Sequence, residues 1–207
     1  MLVGVDFDNT IICYDGVFHK AALEQGLIPA GTPATKGNVR DYLRKIGRED
    51  DWTKLQGYVY GARTHEASPF PGVLEFFTRC RQLNITVYII SHKTLHPFQG
   101  PIYDLHQAAQ DWIESHGFYS PSGIGLTPRQ VFLELTKQGK LDRIAEAGCT
   151  HFIDDLPEFL AEPGFPAGVE RVLFDPGSIY PVDRRFRHTT SWLEIGKFLF
   201  AERNVIP

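Results

Sequence analysis

The sequence predicts an α/β fold in which a parallel, doubly wound sheet is interrupted once by a helical insertion. Five short runs of β-branched or aromatic residues alternate with amphipathic patterns of helical period, which is the order expected of a parallel sheet. The runs show little polar alternation, as is typical of strands covered on both faces. We therefore expect a Rossmann-like sheet of about five strands with a small helical cap.

Each predicted core element has its own signal. The predicted strands span residues 2–6, 85–91, 131–135, 151–154 and 169–174. Apolar residues recur at the i, i+3, i+4, i+7 spacing of a helix in residues 73–80, 105–112 and 192–199. Strand and helix signals alternate along the chain, so residues 1–11 and 69–207 are predicted to form one α/β core.

Residues 12–68 lack a strand signal and are predicted to form the cap. Helical stripes appear at Val39 and Leu43 and again at Trp52, Leu55 and Val59. A third, weaker stripe lies near residue 18, and the breaker cluster at 68–72 contains two prolines and a glycine. The insertion should therefore end where this cluster returns the chain to the core.

Composition excludes several classes of function. The chain has 207 residues, 43% of them hydrophobic, and a net charge of −4, which gives no basic footprint for nucleic acid. No apolar run is long enough for a membrane span. Cys13, Cys80 and Cys149 are widely spaced, which indicates neither a disulfide framework nor a zinc site. We expect a cytoplasmic monomer or homodimer with a small-molecule partner.

Four polar features follow the first four predicted strands in order. Asp6 and Asp8 follow the first strand, Ser91 ends the second, and Asp154 and Asp155 end the fourth. After the third strand the sequence offers two lysines, Lys137 and Lys140. Each feature alone is common at helix caps and turns. Together they bring carboxylates, a hydroxyl and an ammonium to the strand ends, where ligands bind in open α/β sheets.

This set of residues resembles the motifs of the haloacid dehalogenase-like (HAD) hydrolase superfamily: Asp-x-Asp-x-Thr, a strand ending in Ser or Thr, a lysine, and a strand ending in an acidic pair. The resemblance implies that Asp6 is a nucleophile that forms an aspartyl-phosphate. It implies that Asp8 is the general acid and base and ligates the metal through its backbone carbonyl. Thr10 would position the loop.

The same resemblance assigns the binding groups. Ser91 and Lys140 would bind the phosphate oxygens together with Asn9, and Lys137 is the alternative lysine. The implied metal ligands belong to four residues, Asp6, Asp8, Asp154 and Asp155. Of the acidic pair, Asp155 aligns better with the direct ligand. Carboxylates that meet phosphate and retain water suit Mg²⁺.

The implied activity is Mg²⁺-dependent hydrolysis of a small phosphate monoester, such as a nucleotide or sugar phosphate. Asp8 favours a phosphatase over a dehalogenase, because an alcohol leaving group needs a proton and a halide does not. The alternatives are a nucleotide-sugar glycosyltransferase that uses the Asp-x-Asp, and a non-catalytic binding protein on the same fold. The cap is expected to close over the site as a lid. Arg40 and Arg63 either contact the substrate there or solvate helix faces.

Overall fold

The computed structural model describes residues 1–203. Its strands, in chain order, are β1 (Leu2–Val5), β2 (Ile12–Cys13), β3 (Ser68–Pro69), β4 (Thr86–His92), β5 (Val131–Glu134), β6 (His151–Asp154), β7 (Glu170–Phe174) and β8 (Arg187–Thr189). Its helices are α1 (Asp15–Glu24), α2 (Lys36–Lys45), α3 (Glu49–Ala62), α4 (Val73–Gln82), α5 (Leu105–Ser115), α6 (Lys137–Glu146), α7 (Pro157–Leu160) and α8 (Trp192–Arg203). Short 3-10 helices span Thr64–Glu66 and Pro128–Gln130. Within residues 1–203, no helix is both long and apolar enough to cross a bilayer.

The chain forms two compact units. The first, which we call the core unit, comprises Met1–Ile11, Pro69–His92 and Gly117–Pro207, of which residues 204–207 lie outside the described part. The second, the helical unit, comprises Ile12–Ser68 and Lys93–His116. The prediction assigned all of residues 69–207 to the core. The structure differs, because residues 93–116 group with the helical insertion.

The core unit is built on a parallel six-stranded sheet in the order β5-β4-β1-β6-β7-β8. Numbered along the sheet-forming strands, this is the 3-2-1-4-5-6 order of a doubly wound fold, with its switch point between β1 and β6. The predicted α/β class is confirmed. The predicted number of about five strands omitted β8, whose three residues, Arg-His-Thr, contain no apolar run.

Apolar side chains cover both faces of this sheet. On one face Phe152 and Leu173 lie in a cluster of buried residues with Leu141 and Ile144 of α6. On the other face Phe174, the next residue after Leu173, contacts Trp192 of α8, with ring centroids 5.7 Å apart. Successive strand residues point to opposite faces, so burial of both faces explains the continuous apolar runs in the sequence.

The helical unit contains α1, α2, α3 and α5. Two glycines of α3 allow close approach of the segment that leads into α5. A Cβ atom at Gly57 would lie 2.6 Å from Cβ of Pro97, and one at Gly61 would lie 2.7 Å from Cδ2 of Tyr103. Trp112 of α5 also donates its indole N–H to the Ala67 carbonyl at 2.7 Å. These contacts are the physical reason that residues 93–116 belong to the helical unit.

Arg63, in the helical unit, is held by carboxylates of the same unit. Its guanidinium donates to Glu66 through Nε and Nη2 and to Glu24 through Nη1 at 2.6 Å. Nη1 also donates to the Tyr58 hydroxyl at 3.3 Å. The hydrogen bonds from Arg63, followed by that from Lys20, lower the pKa of Glu66 to about 2. The structure therefore gives Arg63 an ion-pair role within its own unit, which favours the structural interpretation over substrate contact.

Candidate active site

Three neighbouring strands bring the predicted side chains to one edge of the core sheet. β1 lies between β4 and β6, and Val5 is in register with both Ile89 and Ile153. Asp6 directly follows β1, and its N–H donates to the Ile153 carbonyl at 2.9 Å. Because all three strands run parallel, their carboxyl ends meet here. This is the crevice beside the switch point, where doubly wound sheets bind ligands.

The Asp6 carboxylate is buried and is held by two donors. The Ser91 hydroxyl donates to Oδ1 of Asp6 at 2.9 Å, and Nζ of Lys140 donates to the same oxygen at 2.6 Å. Oδ2 of Asp6 accepts no hydrogen bond from any residue within 1–203. The carboxylate is thus fixed by one oxygen and presents the other.

Lys140 bridges two carboxylates beneath this edge. Its Nζ lies 2.6 Å from Oδ2 of Asp154 as well as 2.6 Å from Oδ1 of Asp6. It also lies 4.1 Å from the ring centroid of Phe159 and 5.3 Å from that of Phe152. Burial disfavours the charged form, but the two carboxylates outweigh it and raise the pKa of Lys140 above its usual value. The ammonium therefore stays charged.

The two candidate lysines lie in different surroundings. Thr136 caps the start of helix α6, and its side chain accepts a hydrogen bond from the Gly139 N–H at 2.9 Å. Lys137, in the first turn, is 54% exposed and pairs with Glu162 at 3.0 Å. Lys140, one turn later, is 4% exposed and points to the site. The structure places Lys140 in the cluster and Lys137 outside it.

Three carboxylates lie close enough together to hold a metal ion. One oxygen from each of Asp6, Asp154 and Asp155 lies within 4.8 Å of the others. Such an all-oxygen set of hard ligands fits Mg²⁺ better than a soft metal ion. Within the described residues the Asp8 carboxylate is not part of this cluster. The resemblance implies that Asp8 contacts the metal through its backbone carbonyl.

The two aspartates of the acidic pair have different partners. Both oxygens of Asp154 are engaged, since Oδ2 accepts from Lys140 and Oδ1 accepts from the Leu156 N–H at 2.9 Å. Burial raises the pKa of Asp154, and the charge of Lys140 opposes that increase. Asp155 is half-buried, and its Oδ1 accepts from the Thr10 hydroxyl at 3.4 Å. Asp155 is therefore more accessible to water than Asp154, which is fully buried.

The loop after β1 makes a tight turn that carries the remaining predicted residues. The Ile11 N–H donates to the Phe7 carbonyl at 3.0 Å, and Asn9 adopts φ 60°, a left-handed conformation that asparagine tolerates better than most residues. Thr10 is buried, and its carbonyl accepts from the indole N–H of Trp192 at 3.1 Å. Asp8 is half-buried in this turn.

Three aromatic residues contact the functional groups of the site, and no pattern in the sequence predicts these contacts. Phe152 and Phe159 flank the Lys140 ammonium, and Trp192 fixes the carbonyl of Thr10. Each lies in an apolar pattern typical of a core residue. The positions alone therefore could not show that these side chains touch the functional groups.

Similarity to known proteins is found in structure and not in sequence. No protein-family model and no curated protein matches the sequence. A HAD-superfamily hydrolase from Ehrlichia chaffeensis is 15% identical, with 97% of this chain and 96% of that chain covered and a TM-score of 0.55. A HAD family hydrolase from Deinococcus radiodurans R1 with bound phosphate and sodium is 14% identical, with 100% and 97% covered and a TM-score of 0.58.

A third similar structure is the HAD-hydrolase YfnB from Bacillus subtilis, bound to magnesium. It is 12% identical, with 96% of this chain and 97% of that chain covered and a TM-score of 0.53. Each of the three matches covers at least 96% of both chains, so the likeness is not limited to the sheet. The chain therefore has the fold of the haloacid dehalogenase-like hydrolases, and the residues that resemble their four motifs lie together at one edge of its sheet.

Proposed function

We propose that the protein is a Mg²⁺-dependent phosphomonoester hydrolase that acts on a small phosphate ester through an aspartyl-phosphate on Asp6. The observation that carries this proposal is the state of the Asp6 carboxylate. Ser91 and Lys140 both donate to its Oδ1, so Oδ2 is the oxygen that can attack phosphorus. A buried carboxylate held in one orientation is suited to nucleophilic catalysis.

The first displacement would form a bond between Oδ2 of Asp6 and phosphorus as the bond from phosphorus to the ester oxygen breaks. Asp8 would donate its proton to the departing oxygen, which leaves as an alcohol. Asp8 would then accept a proton from water as that water attacks phosphorus. The bond between phosphorus and Asp6 breaks, the carboxylate is restored, and inorganic phosphate leaves.

Lys140 and Ser91 supply positive charge and a hydroxyl next to the reacting carboxylate. When phosphate enters, their donor groups can shift toward its oxygens, whose charge they would stabilise. The three carboxylates Asp6, Asp154 and Asp155 would hold Mg²⁺, which would neutralise negative charge between nucleophile and phosphate. Two proteins of the same fold were solved with ligands of this kind, the Deinococcus radiodurans hydrolase with phosphate and YfnB with magnesium, and this supports the proposal.

Two alternatives predict other products. A dehalogenase on this fold would release halide and would have no use for a proton donor at Asp8. A glycosyltransferase would consume a nucleotide sugar, and the similarity to HAD hydrolases does not favour it. Release of phosphate from p-nitrophenyl phosphate, compared with release of chloride from 2-chloropropionate, separates the first alternative from the proposal.

The decisive experiment compares Asp6→Asn with Asp142→Asn. Asp142 is an exposed carboxylate on α6, the helix that carries Lys140, so its loss controls for removal of a charge nearby. Asp6→Asn should abolish phosphate release and also the acid-stable, hydroxylamine-sensitive phosphorylated protein formed from labelled substrate. Asp142→Asn should retain both. Wild-type turnover in Asp6→Asn would overturn the assignment. A panel of phosphorylated metabolites, tested with the wild-type protein, would identify the substrate.

A further inference from the structure

An arginine-rich groove lies in the core unit at the end of the sheet away from the candidate active site. Its cavity has a volume of about 720 Å³. The residues that line it are Val169, Glu170, Arg171, Arg184, Arg185, Phe186 and Arg187. Four of the seven are arginines, although the chain as a whole has a net charge of −4. We call this cavity the arginine groove.

Strand register separates the groove from the carboxylate cluster. His151 is in register with Glu170, whereas Asp154 is in register with Leu173. The groove residue Glu170 therefore lies three residues before the level of the active site, which is about 10 Å along a strand. Arg184 and Arg185 precede β8, so they also lie toward the amino ends of the strands. The groove is a separate site from the one already described.

Aromatic rings hold three of the arginines in place. The guanidinium carbon of Arg171 lies 4.6 Å from the ring centroid of Phe165, and that of Arg185 lies 5.2 Å from the Phe186 ring. Arg187 stacks in the same way on Phe198, at 4.4 Å. Stacking fixes a guanidinium plane without occupying its N–H donors in the plane. The groove is thus partly ordered before any ligand binds.

Acidic partners neutralise only part of the positive charge. Asp183 pairs with Arg185 at 2.7 Å, and Glu170 pairs with Arg187 at 2.5 Å. Arg171 donates to the Leu160 carbonyl at 2.8 Å. Among the residues that the structure describes, Arg184 is exposed and has no hydrogen bond or ion pair. Two positive charges therefore remain without an acidic partner, and one of them is free to move toward a ligand.

We propose that the arginine groove binds the di- or triphosphate group of a small molecule of nucleotide size. Guanidinium forks match pairs of phosphate oxygens, and several adjacent oxyanions are needed to satisfy more than one fork. A volume near 720 Å³ is in the range of pockets for small molecules. A single phosphate would engage one fork and leave the other positive charge uncompensated. The site would be distinct from the hydrolytic centre and independent of its proposed reaction.

The test measures binding of inorganic tripolyphosphate and ATP by calorimetry, with EDTA present so that metal-dependent binding at the active site is suppressed. Both should bind with a Kd below about 1 mM, and inorganic phosphate should bind at least about tenfold more weakly. Arg184→Ala should weaken tripolyphosphate binding about tenfold or more, and Arg184→Lys should restore part of the affinity. Asp183→Asn, which releases Arg185, should strengthen it.

Arg79→Ala is the matched control, because Arg79 is an exposed arginine of the core unit on α4, outside the groove. It should leave the affinity unchanged, and circular dichroism should show all four variants folded. The proposal would be overturned if no saturable binding were seen up to about 10 mM ligand, or if Arg184→Ala bound the ligand as tightly as wild type. So would an equal loss in Arg79→Ala, or binding of a single-stranded oligonucleotide without binding of tripolyphosphate, which would indicate a surface for nucleic acid.

Discussion

Nζ of Lys140 lies 2.6 Å from Oδ1 of Asp6, and the exposed fractions of the two side chains are 4% and 7%. A buried ion pair of this kind contributes little net stability compared with an apolar pair, but loss of one partner leaves a buried charge uncompensated. At this site loss of Lys140 would leave two buried carboxylates uncompensated, because Asp154 lies on the other side of the ammonium from Asp6. Lys140 thus keeps two neighbouring carboxylates from repelling each other.

Lys140→Met should therefore abolish phosphatase activity and destabilise the protein by about 3 kcal/mol. Lys137→Met is the control, since Lys137 is more than half exposed and its surface ion pair with Glu162 contributes at most about 1 kcal/mol. Activity assays and urea unfolding measure both effects. If Lys137→Met were inactive and Lys140→Met active, the assignment of the lysine would be reversed.

The two aspartates of the acidic pair should respond differently to amidation. Asp154→Asn breaks the bond to Lys140 in a fully buried position, so it should lower the unfolding free energy by about 3 kcal/mol. Asp155→Asn should change stability by less than about 1 kcal/mol, because its side chain is half-buried and water can still reach the group that replaces the carboxylate.

The requirement for Mg²⁺ should change more in Asp155→Asn than in Asp154→Asn. Asp155→Asn should raise the Mg²⁺ concentration for half-maximal activity by about tenfold or more, as expected when a group that touches or orients the metal is changed. Titration of Mg²⁺ into chelator-treated protein gives this value. Full activity in excess chelator would refute the metal site.

Glu66 should give the helical unit a stability that depends on acid pH. Its pKa is lowered to about 2 by Arg63 and then Lys20, so the stabilisation is present above the ordinary carboxyl pKa near 4.5. It is lost as pH falls from there through about 2. Because Glu66 is partly open to water, we expect about 1 kcal/mol and not the full value implied by the shift.

Glu66→Gln removes this effect. The difference in unfolding free energy between wild type and Glu66→Gln should be larger at pH 6 than at pH 3. The control is Glu146→Gln, because Glu146 is exposed and its pair with Arg143 lies at the surface. A difference that did not change with pH would show that the carboxylate of Glu66 gains nothing from Arg63.

The part of the fold that the sequence predicts well is the part in which chemistry and periodicity agree. Strand β1 is an apolar run followed directly by Asp6, and β6 is an apolar run that ends in Asp154. Because parallel strand ends meet, the proximity of the two aspartates follows from the sequence. Lys137 and Lys140 both lie in the first turns of one amphipathic helix. Only their burial distinguishes them, and burial depends on where the helix packs.

Other features depend on contacts that have no local signal. Strand β8 consists of three polar or charged residues and is defined by its pairing with β7. The rings around Lys140 look like any apolar core residue in the sequence. The grouping of residues 93–116 with the insertion depends on Gly57 and Gly61, whose missing side chains admit Pro97 and Tyr103. A glycine within a helical pattern indicates a possible close approach but does not name the partner.

The last prediction tests that grouping with two glycine substitutions of opposite expected sign. Gly61→Ala places a methyl group against Tyr103 and should destabilise the helical unit by about 1–3 kcal/mol. Gly37→Ala lies in α2 of the same unit, where the new methyl group would approach only Thr35 Oγ1, at 3.9 Å, and it should stabilise the helix by about 0.5–1 kcal/mol. Hydrogen exchange locates both effects.

In Gly61→Ala the amides of α3 and α5 should lose protection together while those of β1 and β6 keep theirs, because residues 93–116 pack on α3. Loss of protection in α3 alone would show that α5 does not depend on this contact and that residues 93–116 are not part of the helical unit.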